Sequence, residues 1–251
     1  MDKTLTKGMQ LLEILAASPK PRGVKDLADE AGMTQSNVHR LLQTLVGLNY
    51  VRQEGKRGLY TATPRMYAIG RIVIDRIEIV AVATPFLQRL NELSHEYCSL
   101  SIWHDNAPLL IKSVETSVRH PLRLFTQSSL RTAATCTSAG LILLAYQPES
   151  VIEGFAASLH RATSRSISTP EELRARLEEI RRTGRIIVRD EWQFGLSAVS
   201  VPVYLDGDVI AVLTISAPSD RLTQDVAEAL VDPLHSAAND ISALMRGTVR
   251  Q

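Results

Sequence analysis

The chain has 251 residues, 45% apolar and 22% charged, enough for two globular cores, and its longest apolar run, "AGLILLAY", falls far short of the roughly 20 residues that span a bilayer. No signal-peptide pattern opens it, and two distant cysteines, Cys98 and Cys136, argue against a disulfide framework or a clustered zinc site, so a reduced, cytoplasmic, membrane-free setting is expected. Net charge is +1, but residues 1–76 carry 12 Lys and Arg against 7 Asp and Glu while the remainder carries 16 against 20, so the N-terminal third is the part suited to a polyanion.

Residues 5–17, "LTKGMQLLEILAA", place Met9, Leu12 and Ala16 on one helical stripe beside Leu11 and Leu15. "PKPRG" interrupts it. A shorter helix fits "VKDLADEA", with Gly32 as its C-terminal cap and Thr34 as the N-cap of a third helix. On that third helix Val38, Leu41, Leu42 and Leu45 share one face. At about 100° per residue, Ser36, Arg40, Gln43 and Gly47 fall on the opposite one, flanked by His39 and Thr44. The outer face is polar and free of carboxylates, as a helix that reads phosphates and base edges requires. Two short helices around a glycine turn form a helix-turn-helix, although a helical hairpin in an unrelated bundle has the same pattern. "YVRQE" and "LYTAT" then read as strands around "GKRG", a tight turn with Lys56 and Arg57 at its tip, as in the wing of a winged helix or in a plain surface hairpin.

Residues 65–83, "RMYAIGRIVIDRIEIVAVA", are predicted to form one long helix, too apolar for a linker unless a second copy of the chain covers it. A dimer of that kind presents two reading helices to a palindromic or pseudo-palindromic site. Thr84 and Pro85 read as the start of a further helix. A strand hairpin turns at Asp105-Asn106, and "PLRLF" fits another strand. In "TAATCTSAGLILLAY" the residues Thr135, Thr137 and Ser138 gather where an apolar helix begins, which makes an anion-friendly helix start or plain N-capping. "STPEELRARLEEIRRTGR" is a helix with Thr169, Pro170 and Glu172 as its start and Gly184 as its stop. Three strands follow, the last two joined at Asp206-Gly207; on the final one Thr214 and Ser216 share a face with Ile210 and Val212. A closing helix, "LTQDVAEALVDPLHSAANDISALM", contains Pro233 as a possible kink. The order describes an antiparallel sheet flanked by helices.

The stretches "GVKDLADEAGMTQSNVHRLLQTLVGLNYV", "TCTSAGLILLA", "LEEIRRTGRIIVRDEWQFGLSAVSVPV" and "VIAVLTISAPSDRLT", in this order and spacing, resemble the IclR family of bacterial transcriptional regulators over nearly the whole chain. The resemblance implies an α+β protein: a winged helix-turn-helix at 1–63, a linker helix at 64–83 and a GAF-like effector-binding domain at 84–251. It places Thr34, Gln35, Ser36, Asn37, His39, Arg40 and Gln43 at the recognition helix and Lys56 and Arg57 on the wing, against double-stranded operator DNA. It implies an effector pocket built from Thr135, Cys136, Thr137, Ser138, Gly140, Asp190, Glu191, Ala198, Thr214 and Ser216, taking a small organic or aromatic acid or a related metabolite, and a homodimer or homotetramer. No metal or cofactor is implied. The chain departs from the family where a His and a Gly-Lys pair are common: here stand Thr135 and Gly140-Leu141. That removes two cationic or hydrogen-bonding groups and opens the site to a less polar ligand.

Two other classes compete. An enzyme would need a catalytic constellation, yet the six histidines are scattered and no His-Glu-x-x-His, Gly-x-Ser-x-Gly or dinucleotide fingerprint is present. Cys136 at a helix start has the one feature of an activated thiol, but no His is placed to serve it. A sensor of ligand and protein alone would show carboxylates or apolar residues on the outer face of the third helix, which is the opposite of what the sequence has.

Overall fold

The computed structural model describes residues 2–55, 58–115 and 132–248, and the chain divides into two compact units, Met1–Asp75 and Arg76–Gln251.

In the first unit, α1 (Lys3–Ala17) is opened by Asp2, whose carboxylate accepts from the N–H groups of Thr4 and Leu5. Helix α2 (Val24–Ala31) ends at Gly32 in the left-handed conformation that favours glycine. Thr34 occupies the N-cap position of α3 (Gln35–Gly47), but its hydroxyl makes no capping bond and lies instead 3.4 Å from that of Ser36. Leu11, Leu12, Leu15, Leu27, Val38, Leu41, Leu42 and Leu45 bury together with Val51 and Tyr60, each large side chain contributing roughly 2 kcal/mol. Strands β1 (Val51–Glu54) and β2 (Leu59–Ala62) pair from Val51↔Ala62 to Glu54↔Leu59. Gly55 and Gly58 both adopt positive φ, which lets so short a loop turn. Lys56 and Arg57 lie outside the described residues. Arg22, in the break between α1 and α2, exchanges both backbone hydrogen bonds with Tyr60 at 2.9 and 2.8 Å; no residue pattern announced this third edge of the hairpin.

The helix predicted over 65–83 is in fact two, and the start predicted at Thr84-Pro85 lies inside the second. Helix α4 (Arg65–Asp75) ends in an Arg71–Asp75 ion pair, and α5 (Glu78–Ser94) begins after Ile77 with Glu78 favourably placed in its first turn. Burial explains the break: α4 has no buried residue, whereas Ile79, Val80, Ala83, Phe86 and Leu87 anchor α5 in the second unit. Thr84 therefore donates back to the Val80 carbonyl at 2.6 Å, as a mid-helix threonine does, and Pro85 is carried within the helix.

The second unit continues with β3 (Tyr97–His104), β4 (Ala107–Val114), α6 (Ser138–Ala145), α7 (Glu149–Ala156), α8 (Pro170–Thr183), β5 (Ile186–Arg189), β6 (Leu196–Leu205), β7 (Asp208–Pro218), α9 (Gln224–Ala229) and α10 (Val231–Thr248). Asp105-Asn106 and Asp206-Gly207 take positive φ at both positions, the turn that two-residue hairpins require. The strand expected at "PLRLF" lies outside the described residues. Helix α7 was not foreseen, and the closing helix breaks at Leu230 rather than kinking at Pro233. That proline is the third residue of α10, where the first-turn N–H groups have no intrahelical acceptor and its missing one costs nothing.

Among the described residues the sheet is five-stranded in the order β4-β3-β7-β6-β5, with every neighbouring pair antiparallel. Helices α5 and α10 cover one face, over Leu100, Val199, Val201, Leu213 and Ile215, all buried. Helix α6, backed by α8, covers the other. All eight residues of α6 are buried, as a helix enclosed on every side must be.

Candidate functional site

Helix α3 buries Val38, Leu41, Leu42 and Leu45 and leaves Gln35, Ser36, His39, Arg40 and Gln43 exposed, with Asn37 half-buried. Thr34 stands exposed just before it. The Arg40 guanidinium donates to Asn37 Oδ1 at 3.3 Å, and Gln43 Nε2 to the Tyr60 hydroxyl at 3.3 Å. These contacts hold two long side chains on the outer face and use one donor of each, leaving four of the five on the guanidinium and one of the two on the amide. No carboxylate interrupts that face.

A cavity of about 330 Å³ lies in the second unit, between the start of α6 and the sheet. The antiparallel register builds its floor in cross-strand rows. In one, Tyr97, Ser216, Ala198 and Val188 stand side by side on β3, β7, β6 and β5; in the next, Ser99, Thr214 and Ser200 do so on β3, β7 and β6. Side chains alternate faces along a strand, so these rows share the face that α6 covers. Thr137 N-caps α6: its hydroxyl donates to the Ala133 carbonyl at 2.7 Å and accepts from the Gly140 N–H at 3.1 Å. Gly140 is required here, because an added Cβ would meet the Ala133 carbonyl oxygen, Thr137 Oγ1 at 2.6 Å and Ala134 Cα at 2.8 Å. Ser138 follows, over the sheet, accepting from Ser200 at 2.7 Å. Leu110, Ala139 and Leu196 add apolar wall, and Trp192 and Gln193 close one side. Two hydroxyl oxygens, those of Tyr97 and Thr132, are buried with no hydrogen-bond partner among the described residues, and both residues line the cavity.

Of the residues singled out by sequence, Thr137, Ser138, Ala198, Thr214 and Ser216 line the cavity. Thr135, Cys136, Gly140, Asp190 and Glu191 do not; they hold its frame. Thr135 directs its hydroxyl to the His160 carbonyl. Cys136 is buried, and burial together with the nearby Glu191 carboxylate pushes its thiol up to about 11, which removes the activated-thiol reading. Asp190 sits at positive φ. Burial works to raise its carboxyl, but the Gly195 N–H at 2.7 Å, the Ser219 hydroxyl at 3.1 Å and the Arg165 guanidinium at 2.6 Å hold it below the usual range. Glu191 shifts the other way: burial raises it, against the pull of Arg176 at 3.3 Å. With Thr163 and Ser166 donating to the Asp190 and Glu191 carbonyls, these bonds fix the β5–β6 loop so that Trp192 and Gln193 face the cavity.

The sequence reading missed the contribution of β3. Tyr97, Ser99 and Ser101 line the floor, and the signal was present in "YCSLSIW", where hydroxyl and apolar residues alternate. Only the apolar set, Leu100 and Ile102, entered the strand assignment. Val188, Trp192, Gln193, Leu196 and Ser197 were also missed. Among the described residues no helix is long and apolar enough to cross a membrane.

The family model described as bacterial transcriptional regulator IclR C-terminal matches residues 71–243, and the IclR helix-turn-helix domain matches residues 4–55. The DNA-binding transcriptional repressor YiaJ of Escherichia coli (strain K12) is 30% identical over 253 residues, covering 99% of this chain and 89% of that protein. Among solved structures, an IclR transcriptional regulator from Alicyclobacillus acidocaldarius superposes with a TM-score of 0.82 at 23% identity, covering 97% of this chain and 98% of that one. An IclR homolog from Microbacterium hydrocarbonoxydans, complexed with 4-hydroxybenzoate, has the same fold at a TM-score of 0.77 and 22% identity, covering 98% and 100%. These relatives are transcriptional regulators and not enzymes, and this chain belongs to the IclR family of DNA-binding transcriptional regulators.

Proposed function

We propose that this regulator controls a catabolic operon and that its cavity binds a small organic or aromatic acid, or a related metabolite, of that pathway. The observation that carries the reading is the cavity itself: about 330 Å³, apolar walls, and hydroxyls gathered at the start of a buried helix, a combination that encloses a small body and orients one or two polar groups. The 4-hydroxybenzoate bound by the Microbacterium homolog supports a ligand of this size and chemistry. Arg40, Gln43, Ser36 and Asn37 on α3, with Thr34, Gln35 and His39 beside them and Lys56 and Arg57 on the hairpin, are proposed to meet the operator. Two copies of the chain do so together. Helix α4 has no buried residue and exposes Tyr67, Ile69, Ile72 and Val73, an apolar surface that a second copy covers, as dimer or tetramer, so that paired α3 helices face a palindromic site.

The ligand acts by binding the DNA-competent and DNA-free arrangements with different affinity, since a ligand indifferent to both shifts nothing. Gel retardation of upstream fragments by the pure protein, repeated with a series of small acids, tests the reading. Retardation that one acid relieves or strengthens is expected, and the same acid raises the unfolding temperature of the free protein. No retardation of any upstream fragment overturns the DNA assignment; retardation untouched by every acid that stabilises the protein overturns the effector assignment.

A further inference from the structure

Ser200 is fully buried on β6, behind two residues that face the cavity. Its hydroxyl donates to Ser138 Oγ at 2.7 Å and lies 2.7 Å from Thr214 Oγ1. A hydroxyl has one proton, so the second bond has Thr214 as its donor. The direction of donation is thereby set through three residues, from Thr214 to Ser200 to Ser138. At the cavity wall this has opposite consequences for the two outer groups. Thr214 has turned its proton inward and offers a ligand only lone pairs. Ser138 accepts from Ser200 and has its own proton left to give. Both oxygens are at hydrogen-bond distance from the same Ser200 atom, so they are no further apart than twice that distance, within the span of two polar groups on adjacent carbons. A helix packed on a sheet has no need of such a chain, because Ala and Val fill these three positions without taking hydroxyls out of water.

We propose that Ser200 is the positioning residue of the pocket, and that the donor at Ser138 beside the acceptor at Thr214 selects a 2-hydroxy carboxylate over the 2-oxo and unsubstituted acids of the same shape. The inference rests on the reading of the cavity as the effector pocket. A carboxylate oxygen accepts from Ser138 and the neighbouring hydroxyl donates to Thr214. A 2-oxo acid brings an acceptor to both positions and sets two lone pairs against each other at Thr214. An unsubstituted acid leaves Thr214 without a partner.

Titration calorimetry on the full-length protein tests this with two series, mandelate, phenylglyoxylate and phenylacetate, and lactate, pyruvate and propionate. The hydroxy member of the series that fits is expected to bind about tenfold more tightly than its oxo partner. Ser200→Ala brings that ratio to about one by freeing both neighbours to reorient, and Thr214→Val, which keeps the side-chain shape, does the same by deleting the acceptor. A wild-type ratio near one, or a ratio that Ser200→Ala leaves unchanged, overturns the inference. Binding of 4-hydroxybenzoate with no binding of either series, or with no preference within them, overturns it and leaves the effector reading standing. No binding of any of these seven acids overturns the inference alone, because the effector reading extends to other small acids and is decided by the retardation series.

Discussion

The outer face of α3 and the floor of the cavity are both rows of polar side chains laid over an apolar layer, and they differ in their access to water. On α3, Ser36, Arg40 and Gln43 are exposed, so solvent satisfies whatever donors and acceptors the protein does not. In the cavity Ser99, Ser101, Ser138 and Thr214 are buried, as is Ser200 behind them, and their hydroxyls must bond to one another, wait for a ligand, or remain unpaired as the Tyr97 hydroxyl does among the described residues. The difference teaches that function can be altered on α3 without touching stability, whereas in the cavity the two are coupled.

The strongest challenge to this contrast is at the cavity edge. Gly140→Ala drives a Cβ into the backbone of 133–134 and the Thr137 cap, and overpacking against backbone is expected to lower the stability of the second unit by about 3 kcal/mol in urea unfolding. A loss below about 1 kcal/mol would show that the 133–137 loop yields. Arg40→Ala probes the other side: retardation of operator DNA should weaken roughly tenfold while urea stability stays within about 0.5 kcal/mol. A parallel fall in stability would break the contrast, because Arg40 would then be part of the fold. The smallest effect has the less usual sign. Tyr97→Phe removes a buried hydroxyl with no partner among the described residues and is expected to stabilise the ligand-free protein by about 1 kcal/mol, read as a rise in unfolding temperature. A drop would mean that the hydroxyl is satisfied in solution and that the floor is not under the strain the contrast requires.

Legibility follows the same division. The alternation of Val38, Leu41, Leu42 and Leu45 with Ser36, Arg40 and Gln43 is local and periodic, so the residue pattern alone separates the two faces of α3. Thr137, Ser138, Thr214 and Ser216 were also visible, as hydroxyls out of place in apolar surroundings. Asp190 and Glu191 were assigned to the pocket only through the family resemblance. Their partners, Arg165 and Arg176, lie 25 and 15 residues away, and nothing local shows that these ion pairs turn the two carboxylates away from the cavity and leave Trp192 and Gln193 facing it. The break between α4 and α5 was hidden for a related reason: apolar residues continue on both sides of the charged Asp75, Arg76 and Glu78, which an exposed helical face also tolerates, and the burial of Ile79 and Val80 in one unit, with α4 left uncovered, separates the two helices.

By itself the sequence determined the helices of the first unit, the hairpin after them and the turns of the later strand hairpins, because helix and strand periods, caps and turn residues act over a few positions at a time; the family came from the resemblance carried by four longer stretches in their order and spacing. The tertiary structure alone decided which hydroxyls meet. Tyr97 and Ser216, or Ser138, Ser200 and Thr214, become neighbours through strand register and the seating of α6, which depend on packing summed over the whole sheet and on no single stretch of chain.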